Sequence, residues 1–452
     1  MNRKTDLVNF KKEFIMNYDT DVLVVGCGPV GILCALALAQ ENLKVTIIEM
    51  SPEIIPAPRA PVYFPSTIYA LDKLGLLTDL ENIASVGKQI SQHFPILNKK
   101  VTINLNILEG LSYPYTLHIG QDKLAELGIK HAKKLGVEIQ FGQKFINFED
   151  VEDGVISTVE NAEGRFDIRS KWLIGTDGAS SSVREKMNIH FDGMTWPIRF
   201  VAANIHAKLY DHGYSATNFI ARPEHNGVVV IIDEKTDLWR IAYSENADLD
   251  PEKVAERFEE NCARPFIPEG AQYKISTLRQ YRLHQRAAST FRQGHVLLAG
   301  DAAHITSPIG GLGLSGGIWD AMILADLLGA ISRNEESIDI LDKYSEERQR
   351  VFWEVVTPGA KENLRVIGEK NIDQHQLDCE AAQVAGNNPE IGVRVLLFSH
   401  KLIGDTLRKN SRWKDASKIK GVDMNKIDAQ MGDIKNRFEE ATSQIKLKET
   451  TS

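Results

Sequence analysis

The stretch that most limits what this chain can fold into is residues 21–49, DVLVVGCGPVGILCALALAQENLKVTIIE. An apolar run over 21–25 leads into Gly26, Gly28 and Gly31 at GxGxxG spacing. A small-and-apolar run follows over 32–40, then a second apolar run over 45–48 that ends in Glu49. By period and punctuation this reads as strand, tight turn, buried helix, strand and acid. Each part suits a dinucleotide. Gly26 permits the turn, Gly28 lets backbone approach a pyrophosphate, and Gly31 lets the helix pack closely on the sheet. The helix start, which includes Pro29 and Val30, presents unpaired amides and the positive end of the helix dipole to phosphates. Glu49, followed by Met50, can accept from a ribose diol and repels a 2′-phosphate. The segment therefore points to FAD or NAD rather than NADP, and by itself does not choose between them.

At 452 residues the chain is long enough for two or three cooperating units around a well-buried core. Its 43% hydrophobic and 25% charged residues are ordinary for a folded protein. A formal net charge of -8 argues against nucleic acid as a partner. Cys27, Cys34, Cys262 and Cys379 are too scattered for a CxxC motif and read as reduced thiols of a cytoplasmic protein. No apolar run reaches the length of a membrane span without polar interruption. The first 18 residues carry Lys11, Lys12 and Glu13 where a signal peptide needs an apolar centre, and read as a short arm. The histidines and cysteines form no metal-ligand array, and no GxSxG elbow appears.

Two later segments resolve the choice of cofactor. Residues 172–184, WLIGTDGASSSVR, run an apolar strand into Asp177-Gly178. Residues 296–304, VLLAGDAAH, run another into Gly300-Asp301, followed by ITSPIGGLGLSGGIWDAMILADLL. In that continuation the glycines 310, 311, 313, 316 and 317 form a closely approached turn before an apolar helical pattern over 318–328. Asp301 at a strand end can hold a ribityl hydroxyl, and the glycine-rich helix start can set amides beside a flavin.

Together the three ordered motifs resemble the class A flavoprotein aromatic hydroxylases, the para-hydroxybenzoate hydroxylase-like family. Within it they are most similar to the phenol, hydroxyphenylpropionate and aromatic polyketide hydroxylase branch. The likeness spans residues 20–350. It implies an α/β fold: a Rossmann-like FAD-binding domain of the GR2 type, an inserted mostly antiparallel substrate sheet, and a helical C-terminal extension. The implied division is an arm over 1–18, FAD-binding parts over 19–184 and 293–358, a substrate domain over 185–292, and the extension over 359–452. The resemblance places Gly26, Gly28 and Gly31 on phosphate, Glu49 on ribose, and Arg59 near the FAD phosphates and the donor path. It places Gln121 on a cofactor-lining helix and Asp177 and Gly178 on a motif tied to cofactor and nicotinamide. Gly300 and Asp301 fall at the ribityl chain, and Pro308, Gly310, Gly311, Gly313 and Leu314 in the loop over the flavin. The chain departs from the branch at Leu312 and Ser315, where glutamine and asparagine are usual, and at Ser66, commonly arginine.

The activity so implied is FAD-dependent hydroxylation of a small or polycyclic aromatic by O₂, with NADH or NADPH as a transient donor, through a C4a-hydroperoxyflavin. Backbone amides near Pro308 and from Gly310 and Gly311 to Leu314, with Arg59, are the expected aids to that chemistry. Alternatives on the same framework are an epoxidase, a Baeyer-Villiger oxygenase, an oxidase, or a regulatory protein that holds FAD without turnover. In the middle segment, FVAANIHAKLY, TNFIARP, GVVVIID and WRIAYS read as strands and PEKVAERFEENC as an amphipathic helix. Arg199, His206, Tyr214, Phe219, Trp239 and Tyr243 are the substrate-pocket candidates, set against the alternative that strand aromatics pack in cores. His304 can hydrogen-bond near FAD or brace the turn.

Beyond the flavin domain, LDKYSEERQRVFWEVV reads as an amphipathic helix broken at Pro358-Gly359, while GVRVLLFSHKLIGDTL fits helix or strand. Met424, Ile427, Met431, Ile434 and Phe438 recur at helical spacing as one apolar stripe. Packing back on the same chain is its first reading, and a homodimer contact the alternative.

Overall fold

The computed structural model describes residues 17–55 and 61–417. The expected arm over 1–18, Arg59 and the apolar stripe from Met424 to Phe438 thus lie wholly or mainly outside the described residues.

The first sheet is built on the pattern read at the start of the chain. Thr20–Val25 lies parallel between Val45–Glu49 and Gly164–Gly175; Glu138–Phe141 and Val296–Leu298 extend the parallel core outward on either side. These strands are covered on both faces, which is why 22–25 and 45–48 read as continuous apolar runs rather than alternating ones. The helix Pro29–Gln40 is buried along nearly its whole length because it packs between this sheet and the helix Leu312–Ser332. That second helix is apolar all round. Among the described residues it is the helix long and apolar enough to cross a membrane, and 89% of its most apolar window is buried inside the protein.

The second sheet runs in the order His304–Ile305, Tyr273–Ala288, Phe191–Ala207, Leu238–Asn246, Gly227–Asp233, Thr217–Ile220, Gln89–Phe94 and Lys99–Asn104. Its pairs are antiparallel except for Thr217–Ile220 with Gln89–Phe94. Its last two strands come from within the stretch assigned by sequence to the first FAD-binding part. The amphipathic helix expected over 251–262 is instead a 3-10 turn, Pro251–Lys253, and a π-wound turn, Glu259–Ala263. It still buries Val254, Phe258 and Cys262 along one stripe, as its pattern requires.

Pro358-Gly359 does not stop the C-terminal helix. Ile340–Val351 passes through a π-turn, Phe352–Val356, into Thr357–Ile367. The wide turn releases the local hydrogen-bond ladder, so Pro358 stands at the start of a renewed helix, where its missing N–H costs nothing. The 392–407 stretch, ambiguous in sequence, falls in the helix Pro389–Leu396 and the 3-10 run Leu397–Ile403. All four cysteines are buried and free.

Candidate functional site

A cavity of about 390 Å³ opens at the C-terminal ends of the parallel strands, over Gly26, Gly28 and Pro29. Glu49, Met50, Gln121, Asp177 and Gly178 also border it. The three glycines divide the work. Gly26 has φ +100°, and a Cβ there would sit 2.7 Å from the Thr176 carbonyl oxygen. A Cβ on Gly31 would sit 2.0 Å from the Gly26 oxygen. Both positions are filled by the protein itself. A Cβ on Gly28 would meet nothing within 4 Å, so its open side faces the cavity. Gly28 is also the N-cap of Pro29–Gln40 and no side chain caps that end, leaving its first amides to a ligand.

Glu49 is held at the end of its strand. Its Oε2 accepts from the Cys27 amide at 2.9 Å and its Oε1 from the Ser51 amide at 2.9 Å, leaving lone pairs toward the cavity. Met50 stands 70% exposed on the rim. The Asp177 carboxylate accepts from the Ser181 hydroxyl at 2.5 Å and the Val183 amide at 3.2 Å. Burial pushes its carboxyl up, against these hydrogen bonds. It thereby fixes the turn that carries Gly178. Val30 points elsewhere, against Gly300 and Gly317, where it spaces the two long helices.

The second end is the Gly300-Asp301 turn. Gly300 has φ +64°, and its amide donates to Asp320 Oδ2 at 3.0 Å. The same oxygen lies 2.8 Å from His304 Nε2, and Asp320 Oδ1 accepts from Arg348 Nε at 2.6 Å. His304 is packed between the Phe291 and Phe352 rings. Its geometry is that of a brace beneath the turn. Asp301 stands exposed above it. Gly310 and Gly311 both have positive φ, +93° and +67°, and Gly311 is the N-cap of Leu312–Ser332. Pro308, Gly313 and Leu314 remain partly exposed around that helix start. Ser315, a departure from the resemblance, closes the turn: its hydroxyl donates to the Gly311 oxygen and accepts from Thr67, both at 2.9 Å. Two uncapped helix starts, the open Gly28 and the held Glu49 fit an extended dinucleotide whose pyrophosphate lies at the first helix.

The second sheet turns one face toward the 308–314 loop. Phe200, Ala242, Leu283, Ile309 and Ile367 form a buried apolar cluster, with Phe219, Val228, Tyr281, Trp196, Ile198 and Leu364 packed partly exposed around it. Phe219 is thus brought to the loop. Trp239 and Tyr243 are not; with Val201, Ala203 and Ile241 they fill the core on the opposite face. Tyr214 packs on that core too, its hydroxyl donating to the Phe266 oxygen at 2.7 Å. Arg199 also faces away, binding Gln280 at 2.8 Å and pairing with the buried Glu245. His206 borders a different surface cleft of about 420 Å³, beside Lys208, Asp211 and His212.

The residues that sequence reading passed over lie on the loop-facing side. Arg240 is directly opposite Asn204 and Val230, in the same alternation as Ala242, Ala202 and Val228. It is 6% exposed, and its Nε donates to Asn204 Oδ1 at 2.9 Å. Burial lowers its guanidinium to about 10, against the pull of Tyr281 and Asp122, so it is charged at neutral pH. Tyr281 is deeply set yet partly accessible, as a side chain lining an internal space would be; burial pushes its hydroxyl up to about 12. An arginine between apolar strand residues, WRIAYS, was the available signal. Asp320 and Asp326 were signalled too, as lone acids in an apolar helix.

The profile of the FAD binding domain family matches residues 19–358. The chain is 39% identical over 389 residues to para-nitrophenol 4-monooxygenase of Pseudomonas sp. (strain WBC-3), covering 85% of this chain and 96% of that protein. It is 35% identical over 353 residues to 6-hydroxy-3-succinoylpyridine 3-monooxygenase of Pseudomonas putida (strain DSM 28022 / S16), covering 77% and 89%. Among solved structures, p-nitrophenol 4-monooxygenase from Pseudomonas putida DLL-E4 superimposes with a TM-score of 0.82 at 37% identity, over 86% of this chain and 99% of that one. The chain belongs to the FAD binding domain family and, within it, to the class A FAD-dependent aromatic monooxygenases.

Proposed function

We propose that this monooxygenase hydroxylates a small phenol, taken up with its oxygen ionised, using NADH or NADPH as the electron donor. The observation that carries the reading is Arg240: a buried, charged guanidinium on the sheet face that also carries the apolar cluster reaching to Ile309 in the 308–314 loop. Beside the protein contacts it already makes, a guanidinium on that face can take the oxygen of an anionic ligand group. Two relatives act, by name, on para-nitrophenol and on a hydroxylated pyridine, which is in keeping with such a ligand.

Bound FAD supplies the electron transfer and oxygen activation that no side chain here can provide. The protein's share is placement and electrostatics. The amides at Gly28 and the first turn of Pro29–Gln40 hold the pyrophosphate, and Glu49 accepts from the adenosine ribose. Asp301 would take a ribityl hydroxyl, and amides at Gly311, Gly313 and Leu314 would hold the flavin. Arg59 remains assigned to the donor path on resemblance alone. Arg240 holds the substrate oxygen. Tyr281, protonated at neutral pH, donates a second hydrogen bond to it. Phe219, Val228 and Ile309 exclude water from the ring. Free, buried cysteines fit a cytoplasmic location.

The test is anaerobic stopped-flow absorbance of the FAD-loaded protein mixed with NADH or NADPH, with and without a panel of phenols, followed by O₂. Faster flavin bleaching with an ionisable phenol, and an oxygenated product carrying ¹⁸O from ¹⁸O₂, is the expected result. No reduction by either donor across the panel would overturn the reading.

A further inference from the structure

We infer that the helix Thr357–Ile367 is the specificity-determining wall of the substrate pocket and restricts the enzyme to single-ring aromatics, an inference resting on the pocket proposed above. The family profile ends at residue 358, so this wall comes almost wholly from beyond the matched stretch.

The helix is pinned on both sides of the pocket. At its first turn, the Thr306 hydroxyl donates to Gln285 Oε1 at 2.7 Å, and Gln285 Nε2 donates to the Thr357 hydroxyl at 2.7 Å. At Gly359 it comes so close to the flavin loop that a Cβ would sit 3.3 Å from Leu312 Cδ1 and 2.9 Å from the Phe398 ring. An apolar residue at 312, where the related branch carries glutamine, thus has a physical reason: it is packed under this helix. One turn on, Asn363 Nδ2 donates to the Ile309 oxygen at 3.2 Å and fills the space beside Gly310, whose Cβ would fall 2.3 Å from it. At the far end the Ile367 oxygen accepts from the amide of Arg222, two residues past the second-sheet strand Thr217–Ile220, at 2.8 Å.

Loop and sheet are therefore bridged by one helix that presents Leu364 and Ile367 to the same cluster as Ile309, Phe200, Phe219 and Tyr281. Ile309, Phe200 and Ile367 have at most 2% exposure, so this part of the cluster is already closed. The backbone cannot swing away without breaking hydrogen bonds to both partners. A second fused ring would have to displace Leu364 or Ile367 themselves. Side-chain size at those two positions then sets the ring count, much as one methylene group is worth roughly tenfold or more in an apolar pocket.

The experiment measures binding and turnover of phenol and 2-naphthol by the FAD-loaded wild type, Leu364→Ala and Ile367→Ala, with the milder Leu364→Val and Ile367→Val as folding-safe companions. Binding is read from the substrate-induced change in the flavin spectrum, independently of turnover. The exposed Val384→Ala, on the helix Ile372–Asn387, is the control. The expected outcome is a rise of about tenfold or more in the 2-naphthol to phenol ratio of kcat/KM for the alanine variants, a smaller rise for the valine variants, and none for the control. A wild type that handles both ring sizes equally overturns the inference, as does a ratio unchanged within about twofold in all four variants while phenol is hydroxylated. A wild type that binds neither ring overturns the pocket assignment along with it.

Discussion

Arg348 Nε donates to Asp320 Oδ1 at 2.6 Å where neither side chain has more than 1% exposure, beneath the turn expected to hold the ribityl chain. The pair does more than neutralise itself. Asp320 also holds the Gly300 amide and His304, and Arg348 reaches the Leu402 and Ile403 carbonyls, so the turn is tied through one carboxylate to the C-terminal extension. Removing one member strands the other, and a broken buried pair costs about 3–5 kcal/mol. Asp320→Asn is expected to lower the thermal midpoint of the apoprotein and to weaken FAD binding about tenfold or more. Denaturant unfolding and FAD titration check both; unchanged FAD affinity would contradict the bracing role.

The same carboxyl sets a pH dependence. Burial alone would raise it, yet the charges of His304 and Arg348 outweigh burial and hold it at about 2, below its ordinary 3.8. A carboxyl depressed in the folded state stabilises the fold above its unfolded value, and that contribution fades as pH falls through the folded value. Its contribution is about 2 kcal/mol at neutral pH, lost between about pH 4 and pH 2. The stability difference between wild type and Asp320→Asn should therefore narrow across that window and stay flat above it.

Gly28 and Gly31 separate binding from folding. Gly28→Ala adds a methyl group that meets only the cavity, at an ordinary φ of −69°, so the apoprotein should keep its stability within about 0.5 kcal/mol while FAD affinity falls. Gly31→Ala drives a methyl group into the Gly26 oxygen and should destabilise the apoprotein itself by about 1–3 kcal/mol. Equal loss of stability in both variants would refute the distinction. This end of the molecule was readable in sequence because each glycine role depends on neighbours within thirty residues or on a strand whose own motif, Asp177-Gly178, was visible.

The substrate wall was less legible, for a reason of period. Strand residues alternate faces, and a pattern such as WRIAYS shows which residues share a face without showing which face meets the cofactor. Trp239 and Tyr243 were candidates because they are aromatic; register puts them in the opposite core, while Arg240 between them faces the loop. The Tyr243 hydroxyl is buried with no hydrogen-bond partner among the described residues, and burial raises it above its ordinary value. Tyr243→Phe should hold stability or raise it by up to about 1 kcal/mol, with KM for the phenol unchanged within about twofold. A large rise in KM would return Tyr243 to the substrate site.

Arg240 carries the complementary expectation. Its Nε donates to Asn204 Oδ1, and it feels the charge of Tyr281, whose strand partner Phe200 lies in the same alternation as Asn204. If it receives an ionised phenol oxygen, Arg240→Gln removes a charge-assisted contact worth about 1.5–3 kcal/mol, and KM should rise roughly tenfold to a hundredfold. Arg240→Lys should recover part of the loss, since a point charge restores attraction but not the planar fork. The discriminating measurement is the dependence on substrate ionisation across a series of substituted phenols. In the wild type, binding should tighten as the phenol becomes more acidic, whereas in Arg240→Gln that dependence should flatten while FAD binding stays unchanged. A series that remains equally steep in the variant would place the anion elsewhere and leave Arg240 as a structural partner of Asn204.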